Sequence, residues 1–137
     1  MTRKESREIA FTILFEYSFD QNCSIMQHYQ VAMEERGVAK DGFVTKLLTG
    51  VESHLADIDD AIETYSAKWK KTRIAPVTMA ILRLATFEMF YLDDMPLRVS
   101  LNEAIELAKK FDDDKAYGFV NGVLNALMHD ERAVGEK

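Results

Sequence analysis

The 137-residue chain has one cysteine, two prolines and six glycines. A lone cysteine, Cys23, excludes an internal disulfide. Few chain breakers and no period-two alternation with hairpin turns leave little room for a sheet. The longest apolar stretch, MAILRLATFEMFYL, is interrupted by Arg83, Thr86 and Glu88, and it is shorter than the roughly 20 residues a membrane-spanning helix needs. A helix is expected to begin at the first residues, which leaves no room for a signal peptide and points to a cytoplasmic protein. The sequence also lacks a glycine-rich phosphate loop and the G-x-S-x-G, H-E-x-x-H and C-x-x-C spacings. His28, His54 and His129 fall on different expected helices and with one cysteine make a poor metal set. Catalysis, a cofactor and a metal are therefore not expected.

What is present is a core-forming composition, 47% hydrophobic, with 17 basic against 23 acidic residues and a formal charge of -6. Such a balance argues against nucleic-acid binding through a broad basic face, but leaves room for a small basic spot and suits a basic protein partner.

The periodicity is helical throughout. Thr2 and Glu5 have capping-box spacing, predicting a helix from about Arg3 to Phe19, and Ser24 with Gln27 predicts a second that Gly37 closes. Val44, Leu48, Val51, Leu55, Ile58, Ile62, Tyr65 and Trp69 form one seam. Asp57 and Asp60 favour two helices, about 41–55 and 58–71, with one continuous rod as the alternative. In KWKKTRIAP, the cations Lys68, Lys70, Lys71 and Arg73 end a helix and Pro76 opens another, running to Leu92, that is apolar nearly all round. Ser100 and Glu103 predict a third capping box. The acidic DDD precedes a last helix over about 114–129, on which Gly118, Asn121, Gly122 and Asn125 share a face suited to close approach by a helix or ligand.

Three positions carry more information. Helix one begins with Arg3, Lys4 and Arg7, cations placed where the helix dipole disfavours them by about 0.3–1 kcal/mol each. Removing Arg3 or Arg7 is expected to leave stability nearly unchanged, and the cluster is either simply solvated or aimed at an external anion. The apolar arc of the same helix, Ile9, Ala10, Phe11, Ile13, Leu14, Phe15 and Tyr17, is wider than one buried face requires, so the helix is central or offers Phe11 or Phe15 to a partner. Arg83, inside the most apolar helix, needs a carboxylate, for which Glu88 and Glu103 are candidates.

The segments SREIAFTILFEYSF, IDDAIETYSAKWKKTRIAPVTMAILRLATFEMFYL, PLRVSLNEAIELAKKF and FVNGVL, in that order and spacing, resemble the bacterial NusB family of transcription antitermination factors over nearly the whole chain. The resemblance implies an all-α fold of about seven helices in two small packed bundles. One domain would span 1–137, with an N-terminal helical subdomain over 1–72 and a C-terminal one over 76–137. It implies no enzymatic activity. The family pairs with NusE, a small-subunit ribosomal protein, and the pair binds the boxA element of nascent ribosomal RNA transcripts as part of the RNA polymerase antitermination complex. Family members occur as monomers or homodimers. The family's arginine-rich RNA-contact region falls on Arg3, Lys4 and Arg7, its second RNA-proximal region on Lys115 and Phe119, and its partner contacts on Phe15, Arg73 and Thr78. Two departures stand out: Glu5 and Ser6 interrupt the basic run, and Phe15 replaces a frequent tyrosine. A helical protein-interaction scaffold without specific RNA binding is the alternative.

Overall fold

The structure, a computed structural model, describes residues 1–70 and 73–135. Seven α-helices follow one another: α1 (Arg3–Phe19), α2 (Ile25–Arg36), α3 (Gly42–Ser53), α4 (Leu55–Ser66), α5 (Pro76–Tyr91), α6 (Leu97–Phe111) and α7 (Tyr117–Met128). Single 3-10 turns at Ala67–Trp69 and Asp114–Ala116 precede the last turn into α5 and α7, and no strand occurs among the described residues. No helix is long and apolar enough to cross a membrane. The expected boundary at Lys71 and Thr72, and the end at Glu136 and Lys137, lie outside the described residues.

Helix α5 is the axis. Twelve of its residues are buried, from Thr78 to Phe90, and it packs against α1, α3, α4, α6 and α7. Helix α1 is correspondingly covered by α2, α3 and α5, while Phe11 stacks on Phe111 of α6 with ring centroids 4.9 Å apart. This accounts for the wide apolar arc of α1. One core joins both halves of the chain, because α1 lies on α5 and α4 lies on α7.

Local signals set several helix ends as expected. Both capping boxes form, Thr2 with Glu5 and Ser24 with Gln27, satisfying amides that have no partner inside the helix. Gly37 closes α2 with φ of 66°, a left-handed conformation that other residues adopt only with strain. Pro76 occupies the first turn of α5.

Elsewhere tertiary packing moves the ends. The break between α3 and α4 comes at His54, whose ring stacks on Tyr91 at 3.8 Å; Asp57 is then a first-turn acid, not a cap. Helix α6 begins at Leu97, not Ser100. Leu97 is fully buried, and extending the helix back to it seats Ser100 in the interior with its hydroxyl 3.5 Å from Glu88 Oε1. The third capping box is thus not made. Helix α4 ends at Ser66, short of the expected 71, and α7 begins at Tyr117 because the acidic segment forms a 3-10 turn first.

Two buried arginines tie the helices together: Arg83 forms the ion pair expected of it but with a different acid, and Arg7 is not the exposed cation the sequence suggested. Arg83 pairs with Asp59 of α4 through two bonds, at 2.9 and 3.0 Å, and reaches Ser18 Oγ at 3.3 Å. Glu88, five residues further along α5, is roughly 140° around the helix and faces other elements. Its partner is Arg7: Arg7 Nε donates to both Glu88 oxygens at 3.1 Å and Arg7 Nη2 donates at 3.0 Å. Glu103 stands 3.9 Å from Arg7 Nη1. Burial pushes the Glu88 carboxyl above its ordinary value, against the lowering effect of Arg7. A third tie joins α1 to α3, where Ser6 Oγ donates to Asp41 Oδ2 at 3.0 Å. The Val44 amide, with further help from Ser6 and the Phe43 amide, holds the Asp41 carboxyl below its usual value despite partial desolvation.

Removing Arg7 strands a buried carboxylate, so Arg7→Ala should destabilise by about 3–5 kcal/mol at neutral pH in urea unfolding. The loss should shrink as pH falls and Glu88 takes up a proton. Asp41 acts in the opposite sense. Its contribution is complete above the ordinary carboxylate range and disappears as pH falls through its lowered value. The melting temperature of Asp41→Asn should therefore depend less on pH below about 4 than that of the native chain.

Candidate nucleic-acid and partner interface

Arg3 and Lys4 emerge from the first turn of α1, whose start is fixed by the Thr2 and Glu5 bonds, at 2.9 and 3.1 Å. Both are exposed. The Arg3 guanidinium lies over the Phe43 ring, 3.8 Å from its centroid, an arrangement that holds the charge at the surface while burying part of its stem. Lys4 borders a shallow hollow between α1 and α6 together with Glu8, Glu103, Glu106, Lys109 and Lys110. Lys109 and Lys110 occupy the last turn of α6, where cations are favoured, and Lys110 also donates to Glu8 at 2.8 Å.

Arg7 does not belong to this exposed group. It is 4% exposed and committed to Glu88, so the expectation of a free cation there, removable at no loss of stability, is corrected. Residues three and four apart share a helix face, but Arg7 lies far enough down α1 to be covered by α5 and α6.

Lys115 is exposed in the 3-10 turn that precedes α7, a turn capped by Asp113, whose Oδ1 accepts from the Lys115 amide at 2.9 Å. It lines a second hollow with Arg73, Thr78, Asp112 and Phe119. Phe119 is only 7% exposed, and the Trp69 ring packs perpendicular to it with centroids 5.8 Å apart. The expectation that Phe119 offers an open face to a base is therefore corrected. Thr78 is buried as well, donating its hydroxyl to Asp112 Oδ2 at 2.7 Å; it positions the end of α6 and is not a surface contact. Arg73 is exposed. The residues expected to meet RNA at Lys115 and those expected to meet a partner at Arg73 thus share one hollow.

Phe15 sits apart, half-buried within a row of aromatic rings on α1. It is 6.2 Å from Phe11 and 4.9 Å from Phe19, and Phe111 extends the row beyond Phe11. Phe19 is 68% exposed and Phe111 41% exposed. Sequence reasoning missed Phe19, Lys109, Lys110 and Trp69. The KK pair and the terminal aromatic of helix one were visible, but their closeness to Lys4 and Phe15 depends on how α6 lies on α1.

Among the described residues, one group could present metal ligands: donor atoms of Asp20, Cys23 and His28 lie within 4.8 Å of one another at the α1–α2 link. His28 Nε2 is already 2.7 Å from the Asp20 carbonyl oxygen. The group lies at the far end of α1 from Arg3, about 25 Å along a helix of this length.

The arrangement can offer separate cations to phosphates and a row of rings to an apolar surface. Known proteins share the fold that carries it. The chain is 43% identical over 130 residues to the transcription antitermination protein NusB of Bacillus subtilis, covering 95% of this chain and 97% of that protein. It is 38% identical over 131 residues to that of Clostridium acetobutylicum, covering 94% and 96%. Among solved structures, NusB of T. maritima superposes with a TM-score of 0.81 at 30% identity, covering 95% of this chain and 92% of that one. A crystal structure of antitermination factors NusB and NusE in complex with dsRNA matches with a TM-score of 0.77 at 26% identity, covering 92% and 95%. The family model described as the NusB family matches residues 4–129, and the chain belongs to that family.

Proposed function

We propose that this chain is an RNA-binding transcription antitermination factor. It engages boxA RNA of nascent ribosomal transcripts together with a basic ribosomal protein of the NusE kind, in the cytoplasm, within the RNA polymerase antitermination complex. The observation that carries the reading is a pair of exposed cations, Arg3 and Lys4, held at the tip of a helix on a chain of net charge -6, with Lys4 sharing a hollow with Lys109 and Lys110. A localised positive tip on an acidic body can contact phosphates without binding nucleic acid indiscriminately. The solved relative that holds NusE and RNA together supports both partners.

The row of Phe15, Phe19 and Phe111 suits the protein partner, with aromatic anchors set in a charged surround. The acidic body attracts a basic protein, and Arg73 and Lys115 flank the junction at which partner and RNA surfaces meet. Whether the free chain is a monomer or a homodimer does not alter this division.

Contacts from Arg3, Lys4 and Lys115 should give a slope of log K against log salt of about -2 for single-stranded RNA. Arg3→Ala combined with Lys4→Ala should flatten it by about 1.4 and weaken binding, leaving the melting temperature unchanged. A slope near zero in the native chain would favour the scaffold reading. NusE should raise RNA affinity above that of either protein alone. Phe15→Ala should remove at least about 1 kcal/mol of partner affinity in calorimetric titration while sparing the RNA binding of the isolated chain.

A further inference from the structure

We propose that Trp69 is the ring on which bound RNA stacks an unpaired base. This rests on the RNA-binding reading above and adds a specific contact to it. Phe119, the aromatic that the sequence places near RNA, cannot present a face while Trp69 stands against it. The indole packed on Phe119 is the more exposed of the two rings and is the one left open to a base.

The seat of the indole is unusual. Gly122 of α7 has no side chain, and a Cβ there would stand 2.3 Å from Trp69 Cζ2 and 2.9 Å from Cε2. The indole thus lies against the α7 backbone, a position that any other residue at 122 would obstruct. This gives the small-residue face of α7 its purpose. Yet 46% of Trp69 remains exposed. A ring backed by a helix and packed at right angles on a second ring, but open to water elsewhere, is already immobilised before a base arrives. Sequence-tolerant stacking on such aromatic platforms is the common mode for single-stranded nucleic acids.

Charge around the ring agrees. Lys68 and Lys70 flank Trp69 in the chain, and Arg73 and Lys115 line the hollow that Phe119 closes. Lys70 adopts a left-handed backbone, φ 57°, the single positive-φ non-glycine residue among those described. Such conformations are held only where the surrounding structure enforces them. Asp112 and Asp113, which also line the hollow, accept from the Thr78 hydroxyl and from the Asp113 and Lys115 amides, so the excess of positive charge at the ring comes from Lys68 and Lys70.

Because the chain has one tryptophan, its fluorescence reports on this ring alone. The full chain is titrated with a single-stranded boxA RNA oligonucleotide, binding being followed in parallel by anisotropy of an end-labelled copy. Tryptophan emission should be quenched along the same binding curve. The same RNA annealed to its complement, whose bases are already stacked, should bind without quenching. Trp69→Leu should weaken single-strand binding about tenfold, and Trp69→Phe much less. If anisotropy shows binding while emission stays constant and Trp69→Leu binds as well as the native chain, the stacking assignment is wrong and the RNA-binding reading stands. If no RNA binds with or without NusE, the functional reading itself fails and this proposal with it. Quenching by a tryptophan-free NusE in the absence of RNA would assign the ring to the protein partner and overturn the proposal.

Discussion

The buried pair of Arg7 and Glu88 is the constraint on which the arrangement of α1 depends. A guanidinium and a carboxylate, both removed from water, lose far more when separated than they gain by meeting. Turning α1 by a single residue would swing Arg7 about 100° away and leave two uncompensated charges in hydrocarbon. The pair therefore contributes less to net stability than to uniqueness: it permits one register of α1 on α5. Arg3 lies one turn earlier, and its place over Phe43 follows from that register. Arg83 and Asp59 perform the same service for α4, so the most buried helix of the molecule is also the one whose neighbours are fixed by charge.

This bears on how an acidic protein handles an anionic ligand. Cations strewn over the surface would be offset by nearby carboxylates, as Lys110 is by Glu8. Here Arg3 and Lys4 gather at the start of α1 and Lys115 stands in the turn before α7, while Phe15 and Phe19 run down α1 and Phe111 of α6 extends their row. The two surfaces meet at the last turn of α6, where Phe111 is followed at once by Asp112 and its bond to Thr78. A protein seated on the rings would thus lie beside an RNA held by the cations, without competing for the same side chains.

The local part of this plan was legible in the sequence. Capping boxes at Thr2 and Ser24, the glycine stop at 37 and the proline start at 76 act over three or four residues, and all were made as read. What failed was non-local. Ser100 and Glu103 have the spacing of a capping box, but burial of Leu97 and the proximity of Glu88 outweighed it. The sequence showed Arg7 as one cation among three; only the fold supplies a carboxylate from α5. Arg83 was correctly read as needing an acid, yet the acid came from α4. In the same way, Phe119 was legible as an aromatic near cations but not as one covered by Trp69. The recurring cause is that periodicity tells which face is buried and is silent on what lies opposite.

The bonds that seat α1 reach across most of the chain: Arg7 and Glu88 are 81 residues apart, and Glu8 and Lys110 are 102 apart. Closing such long loops is entropically expensive and comes late in folding. During synthesis the first helix has only α2 and α3 to cover its wide apolar arc, and its buried arginine stays unpaired, until α5 and α6 follow. Maturation of the cationic tip is therefore tied to the end of translation, so a nascent chain halted before α6 would carry the charges of the binding surface without their geometry.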